Sequence, residues 1–184
     1  TIIKNALRII KKVYEKDIDI SLIPLDDKPT YDLLQRGDTT GVFQLESAGM
    51  KRYLRELKPS VFEDIVAMVA LYRPGPMQFI DDFIARKHGI KEIEYFHQAM
   101  EPALNSTYGV LVYQEQVMQI SKEMCGFTGG QADTLRKAIG KKQIETMAKM
   151  KVDFIDGAIK HSGADKDQME LFWKQLEDFA AYCF

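Results

Sequence analysis

Apolar residues recur at three- and four-residue spacing along most of the 184-residue chain, the pattern of amphipathic helices. Ile2, Ile3, Ala6, Leu7, Ile10 and Val13 predict a helix over 1–15, with Lys4, Arg8, Lys11 and Lys12 between them. Residues 17–24 are branched-rich and read as an extended connector. Asp26 or Asp27 caps a second helix with Pro29 near its first turn, Leu33 and Leu34 inward and Gly37 as its stop. Residues 39–46 read as extended, and Ser47 or Gly49 opens a helix that turns Met50, Tyr53, Leu54 and Leu57 inward. Ser60 to Glu63 has capping-box spacing. The helix after it, 62–71, is apolar apart from Glu63 and Asp64 and is expected to be the buried centre of the domain, stopped by Arg73-Pro-Gly-Pro76. A further helix is predicted over 77–88, a loop and short turn over 92–104, and an extended, branched stretch over 107–113. That stretch leads into a helix with Val117, Ile120, Ser121 and Met124 on one side. A long helix over 143–161 places Met147, Met150, Phe154, Ile155 and Ala158 inward, and Ser162-Gly163 breaks it. The last helix starts at Asp165 or Asp167 and carries Met169, Leu171, Phe172, Trp173, Leu176, Phe179 and Ala180, an aromatic stripe expected to be core packing. The fold class is mainly α, with at most a minor ribbon where Val42 and Val110 could pair.

The stretch from Gly126 to Lys142 stands out. Thr128 can cap a helix, with Gln131 bonding back to the cap amide. Ala132, Leu135 and Ile139 make an anchoring side; Lys137 and Lys141 share another, with Arg136 beside them. Lys141 and Lys142 lie near the helix end, where the dipole favours cations. Guanidinium and ammonium groups on a rigid, docked helix suit a polyanion, Arg through two parallel bonds and Lys as a point charge. The competing reading is a solvated basic face that only keeps the helix soluble.

Composition narrows the choices. A net charge of −2 and 46% hydrophobic residues describe one large domain or two small ones, able to bury a core. There is no overall basic excess, so any nucleic-acid role must come from local clustering. Cys125 and Cys183 lie far apart without metal-ligand spacing, which suggests a reducing cytoplasm and two small core residues. His88, His97 and His161 are scattered, and no cluster reads as a metal site. Neither a signal peptide nor a membrane span is visible. The chain begins and ends inside apolar patterns, which reads as a piece of a longer protein.

A second basic cluster, Lys51, Arg52, Arg55 and Lys58, has Glu56 as its nearby acid and reads more simply as a solvated face than as a DNA contact. Arg73 is pinned at the mouth of an apolar helix, where it pairs with a core carboxylate or points at a ligand. Tyr113, Gln114 and Gln116 open a helix, where they either hydrogen-bond a base or sugar or satisfy backbone groups in the core.

Several signatures in order carry a resemblance: Thr40-Gly-Val-Phe-Gln-Leu-Glu-Ser47, Phe62-Glu-Asp64, Ala70-Leu-Tyr-Arg-Pro-Gly-Pro76, Thr107-Tyr-Gly-Val-Leu-Val-Tyr-Gln-Glu-Gln-Val-Met118 and Ala132-Asp-Thr-Leu-Arg-Lys-Ala-Ile-Gly-Lys-Lys142. Together they resemble the bacterial C-family replicative DNA polymerases, the alpha subunits of DNA polymerase III. The resemblance covers essentially the whole chain and corresponds to the fingers domain, with 1–38 as linker helices after the palm and 39–184 as the fingers core. It implies that Arg136 and Lys137 reach the triphosphate of the incoming deoxynucleotide, with Lys141 and Lys142 on nucleotide or nearby DNA phosphate. Arg73, Tyr113, Gln114, Gln116, Lys51 and Arg52 are further possible contacts. The family more often has a second arginine where Lys137 stands, and a lysine keeps the charge but loses the planar fork. Ile139 replaces a methionine conservatively.

The resemblance also implies chemistry. The primer 3′-hydroxyl attacks the α-phosphate and pyrophosphate leaves, with two Mg²⁺ held by palm aspartates that precede Thr1 in the family. It therefore implies no catalytic or metal-binding residue in this stretch, and no polymerase activity of the stretch alone. The fingers would position the β- and γ-phosphates. Implied partners are primer-template DNA, dNTP and other replicase subunits, in the cytoplasm and away from membranes. The alternative from another class is a non-enzymatic helical module that binds nucleic acid or a protein.

Overall fold

The structure, a computed structural model, describes residues 2–182, with side chains to residue 180. Cys183, expected in the core, lies outside the described residues. Regular structure among those residues is helical: α1 (Ile2–Tyr14), α2 (Lys28–Arg36), α3 (Ala48–Leu57), α4 (Phe62–Leu71), α5 (Ile80–Lys87), α6 (Glu101–Leu104), α7 (Gln114–Glu123), α8 (Gly129–Gly140), α9 (Ile144–Ser162) and α10 (Lys166–Tyr182). Short 3-10 turns lie at Ile20–Leu22, Pro76–Phe79, Gln98–Met100 and Asn105–Thr107. No described helix is long and apolar enough to cross a membrane. The mainly α fold class is as expected.

The capping signals work where a short polar side chain stands at the right place. Asp27 accepts from Thr30 N at 3.0 Å, Ser47 from Met50 N at 3.2 Å and Asp165 from Gln168 N at 3.0 Å. The box expected at Ser60–Glu63 is displaced by one residue. Val61 is the cap position, and the Asp64 carboxylate takes the amides of Ser60 and Val61 at 2.9 and 3.2 Å. Helix α4 is also less buried than its composition suggests: Ala67, Met68 and Leu71 face inward, whereas Phe62 and Val66 are exposed. Leu171 likewise faces out, while Met169, Phe172, Trp173, Leu176, Phe179 and Ala180 are buried.

Two clusters of buried side chains organise the chain. The first gathers Tyr31 and Leu34 of α2 with Leu54, Leu57, Met68, Leu71, Ile80 and Phe83 of α3 to α5. The second gathers α6 to α10 around Leu135, Phe154, Phe172 and Trp173, where Phe154 lies 5.3 Å from the Trp173 ring and 6.0 Å from Phe172. The aromatic stripe is core packing, as its spacing predicts. Helix α9 passes so close to the end of α7 that a Cβ on Gly157 would lie 2.3 Å from the Cys125 carbonyl oxygen. Burial pushes the Cys125 thiol up to about 12, so it stays protonated and packs as a small apolar group. Tyr31 and Leu34 of α2 belong to the first cluster, so packing continues from α2 into α3 to α5. Helix α1 differs: it buries none of its residues.

The expected extended segments do not pair. Residues 39–46 form successive turns, with Val42 N bonded to Thr39 O and Leu45 N to Val42 O, each at 3.0 Å. Residues 110–112 keep the alternation of a strand, Val110 and Val112 entering the first cluster and Leu111 the second. A side chain takes the place of a neighbouring strand. The Gln116 amide oxygen accepts from Val112 N at 2.8 Å and Tyr113 N at 2.9 Å, while its nitrogen donates to Ala103 O at 3.0 Å and Thr107 Oγ1 at 2.8 Å. Gln116→Leu fits the space but orphans buried backbone groups, each costing about 1–3 kcal/mol. A loss of roughly 2–4 kcal/mol is expected in urea melts; an unchanged midpoint would contradict this role.

A buried polar knot closes the first cluster. Asp64 pairs with Lys87 at 3.1 Å and accepts from the Tyr108 hydroxyl at 3.3 Å. Burial, then the Asp64 charge, pushes the Tyr108 phenol up to about 12. A phenol raised in the folded state contributes stability that is fully present below its ordinary value of 10.0 and is lost as pH climbs from there towards about 12. In urea melts across that window, Tyr108→Phe should lose less stability with rising pH than the parent; parallel curves would refute it.

Candidate anion-binding site

The cationic helix forms as its sequence predicts. Thr128 N donates to Gln131 Oε1 at 2.9 Å and Gln131 N to Thr128 Oγ1 at 3.3 Å, closing a reciprocal cap on α8. Ala132, Leu135, Ala138 and Ile139 are buried, the last three in the second cluster, which fixes the helix and turns Asp133, Arg136 and Lys137 outward.

The Arg136 guanidinium donates through Nε and Nη2 to Asp133 Oδ1, at 2.9 and 2.8 Å. Lys137 Nζ lies 2.7 Å from the other oxygen, Asp133 Oδ2. Lys137, then Arg136, holds the Asp133 carboxyl below its ordinary range. Arg136 Nη1 reaches Gln114 Oε1 at 3.5 Å, across to the first turn of α7. The fork is thus held between Asp133 and Gln114 while remaining 34% exposed, with Lys137 at 56%. Two cations share one carboxylate, so a positive charge is left over. Exposed pairs of this kind are worth about 0–1 kcal/mol each, so a more highly charged anion can displace the carboxylate.

Asp133 is the residue that reading the cations alone misses. Its signal was its spacing, three residues before Arg136 and four before Lys137. Lys141 caps the helix C-terminus, its amide bonded to Lys137 O at 2.9 Å, and Lys142 follows in the left-handed region at φ 53°. Both side chains are exposed. Lys142 turns to a groove of about 540 Å³ that it lines with Ile144, Met147, Ala148, Glu177 and Ala180. The carbonyl end of a helix repels anions, so any anion here is held by side chains and not by the helix dipole.

The other sequence candidates are dispersed. Gln114 joins the α8 cations; Tyr113 is half-buried against the first cluster, where burial, then Glu63, raises its phenol pKa. Gln116 is buried with its whole amide engaged on backbone groups and Thr107, the core arrangement that its position also allowed. Arg73 is exposed, and its side chain makes no ion pair or hydrogen bond among the described residues, so the expected core carboxylate partner is not there. Lys51 donates to Thr40 Oγ1 at 2.6 Å; Arg52 lies 3.8 Å from Glu56 and 4.6 Å over the Tyr53 ring.

This arrangement of rigid, paired, exchangeable cations coincides with close sequence similarity to known proteins. Residues 1–162 match the family model described as bacterial DNA polymerase III alpha subunit finger domain. Across its full length the chain is 52% identical to the DNA polymerase III subunit alpha of Aquifex aeolicus, covering 16% of that protein. It is 51% identical to the Pseudomonas aeruginosa protein of that name, covering 16%, and 49% identical to that of Escherichia coli strain K12, covering 17%. The chain thus spans about a sixth of the length of these curated relatives. By the matched residues and by this identity, the chain belongs to the bacterial DNA polymerase III alpha subunit family, as its finger domain.

Proposed function

We propose that the α8 cations position the triphosphate of an incoming deoxynucleotide for template-directed DNA synthesis. The observation that carries this reading is the pairing of Arg136 and Lys137 on a buried-faced helix, where they share the partly exposed Asp133 carboxylate as charged partner. A triphosphate offers several charged oxygens at the spacing of a guanidinium fork, so it outcompetes Asp133 for the same donors. In the parent enzyme the primer 3′-hydroxyl would attack the α-phosphate and release pyrophosphate. The cations would keep the β- and γ-phosphates in line and offset charge that develops on the leaving group.

The family implies Mg²⁺ as cofactor. Among the described residues, no three His, Cys, Asp or Glu side chains converge to hold a metal ion. The donor set here does not fit Mg²⁺, and the palm aspartates of the full-length protein are its proposed ligands. The same reading gives the protein primer-template DNA, dNTP and other replicase subunits as partners, in the cytoplasm.

Lys137 offers the test. In the full-length protein, Lys137→Ala should raise the dNTP KM roughly 5- to 50-fold, the loss of one charge-assisted contact. Lys137→Arg should keep or lower it, and primer-template affinity should stay within about twofold. If Lys137→Ala leaves the dNTP KM unchanged, the helix does not hold nucleotide, and a nucleic-acid or protein-binding module becomes the better account.

A further inference from the structure

The turn joining α2 to α3 presents Phe43, the most exposed aromatic side chain among the described residues at 86%. The turn that carries it is fixed from several sides. The buried Thr39 hydroxyl bonds Leu45 O, Gly41 N donates to Glu46 Oε2 at 3.0 Å, and Lys51 Nζ donates to Thr40 Oγ1 at 2.6 Å. Leu45 is sunk into the first cluster as an anchor, and Gln44 takes a left-handed φ of 63°, costly for a residue with a side chain. A braced backbone therefore holds an apolar ring in solvent.

Cations flank the turn that carries the ring. Lys51 is bonded into the turn, and Arg55 lies along the same segment, its Nη1 2.8 Å from where a Cβ on Gly37 would sit. The unpaired Arg73 follows Tyr72, whose hydroxyl is 3.5 Å from Ser47 Oγ at the end of the turn. Of the nearby acids, Asp38 pairs with Arg36 at 2.7 Å and Glu56 with Arg52 at 3.8 Å, while Glu46 accepts from Gly41 N and keeps its charge. A protein pocket that swallowed Phe43 would have to desolvate these cations and supply each with a partner. A single nucleic-acid strand satisfies both demands together, since its bases stack on aromatic rings and its phosphates take the cations.

We propose that Phe43 stacks on an unpaired base of single-stranded DNA whose phosphates run along Lys51 and Arg55. This rests on the reading of the protein as a DNA polymerase part but not on the α8 nucleotide site. A phenyl ring on a fixed turn loses little side-chain freedom on contact, and stacking tolerates any base.

The test measures binding of a fluorescently labelled single-stranded oligonucleotide to the full-length protein, without dNTP. Phe43→Ala should weaken binding roughly 5- to 100-fold, as loss of one base–aromatic stack does. The slope of log affinity on log salt should not change, because no phosphate contact is removed. Phe43→Trp should restore affinity, and its emission should change on adding oligonucleotide by more than that of the parent protein. Affinity unchanged in Phe43→Ala, or Phe43→Trp emission indifferent to oligonucleotide, would overturn the proposal. A lowered melting temperature of Phe43→Ala with intact binding would overturn it too, by showing the ring packed against another part of the protein. Because the assay contains no dNTP, its outcome is independent of the dNTP KM of Lys137→Ala, so failure here and failure of the nucleotide site are told apart.

Discussion

Arg136→Ala in the full-length protein should raise the KM for every dNTP by roughly 10- to 150-fold, the equivalent of a lost charged hydrogen bond of about 1.5–3 kcal/mol. The effect should be the same for all four bases, because a phosphate contact carries no base identity. Primer-template affinity should be little altered. Arg136→Lys should fall between, since it keeps the charge and loses the two-pronged bond. Steady-state kinetics with each dNTP in turn check this, and a base-dependent effect would point to a contact other than phosphate. Asp133→Asn separates attraction from orientation. If Asp133 mainly competes with nucleotide, its removal tightens dNTP binding; if it mainly aims the fork, its removal lowers turnover.

Asp64→Ala should cost roughly 3–5 kcal/mol of stability, the largest single loss expected in the first cluster. Five donors converge on this carboxylate: Ser60 N at 2.9 Å, Ser60 Oγ at 3.4 Å, Val61 N at 3.2 Å, Lys87 Nζ at 3.1 Å and the Tyr108 hydroxyl at 3.3 Å. The Asp64 side chain is 1% exposed and that of Lys87 9%. Removing the carboxylate leaves a nearly buried ammonium with the neutral Ser60 hydroxyl, 2.9 Å away, in place of a charged partner, and the α4 N-terminus loses the acceptor that caps it. Chemical denaturation of the variant measures this. A loss below about 1 kcal/mol would mean that water or another acceptor reaches Lys87 easily. Lys87→Met with Asp64→Leu should recover part of the loss, because replacing both members of a buried pair avoids the stranded charge.

Much of the helical fold is legible in local sequence because helix signals are local. Thr128 with Gln131, Asp27 with Pro29 and the Gly163 stop each act within one turn of chain. The failures fall where a distant partner decides. Residues 110–112 have the alternation of a strand, but Gln116, folding back from α7, takes the amides that a neighbouring strand would have bonded. The apolar run of α4 leaves Phe62 and Val66 exposed because only one side of it meets the first cluster. The candidate site divides in the same way. Arg136, Lys137 and the overlooked Asp133 lie within one turn of each other and are readable from spacing. Gln114, twenty-two residues away in sequence, joins them only through the packing of α7 on α8. The resemblance to the polymerase family supplied the triphosphate as ligand; spacing alone left the basic face open to a merely solvating role.

The most direct measurement is a structure of the full-length protein with primer-template and an incoming dNTP. Arg136 and Lys137 should have left Asp133 and lie about 3 Å from β- or γ-phosphate oxygens. Both side chains still bound to Asp133, with the triphosphate held elsewhere, would contradict the account.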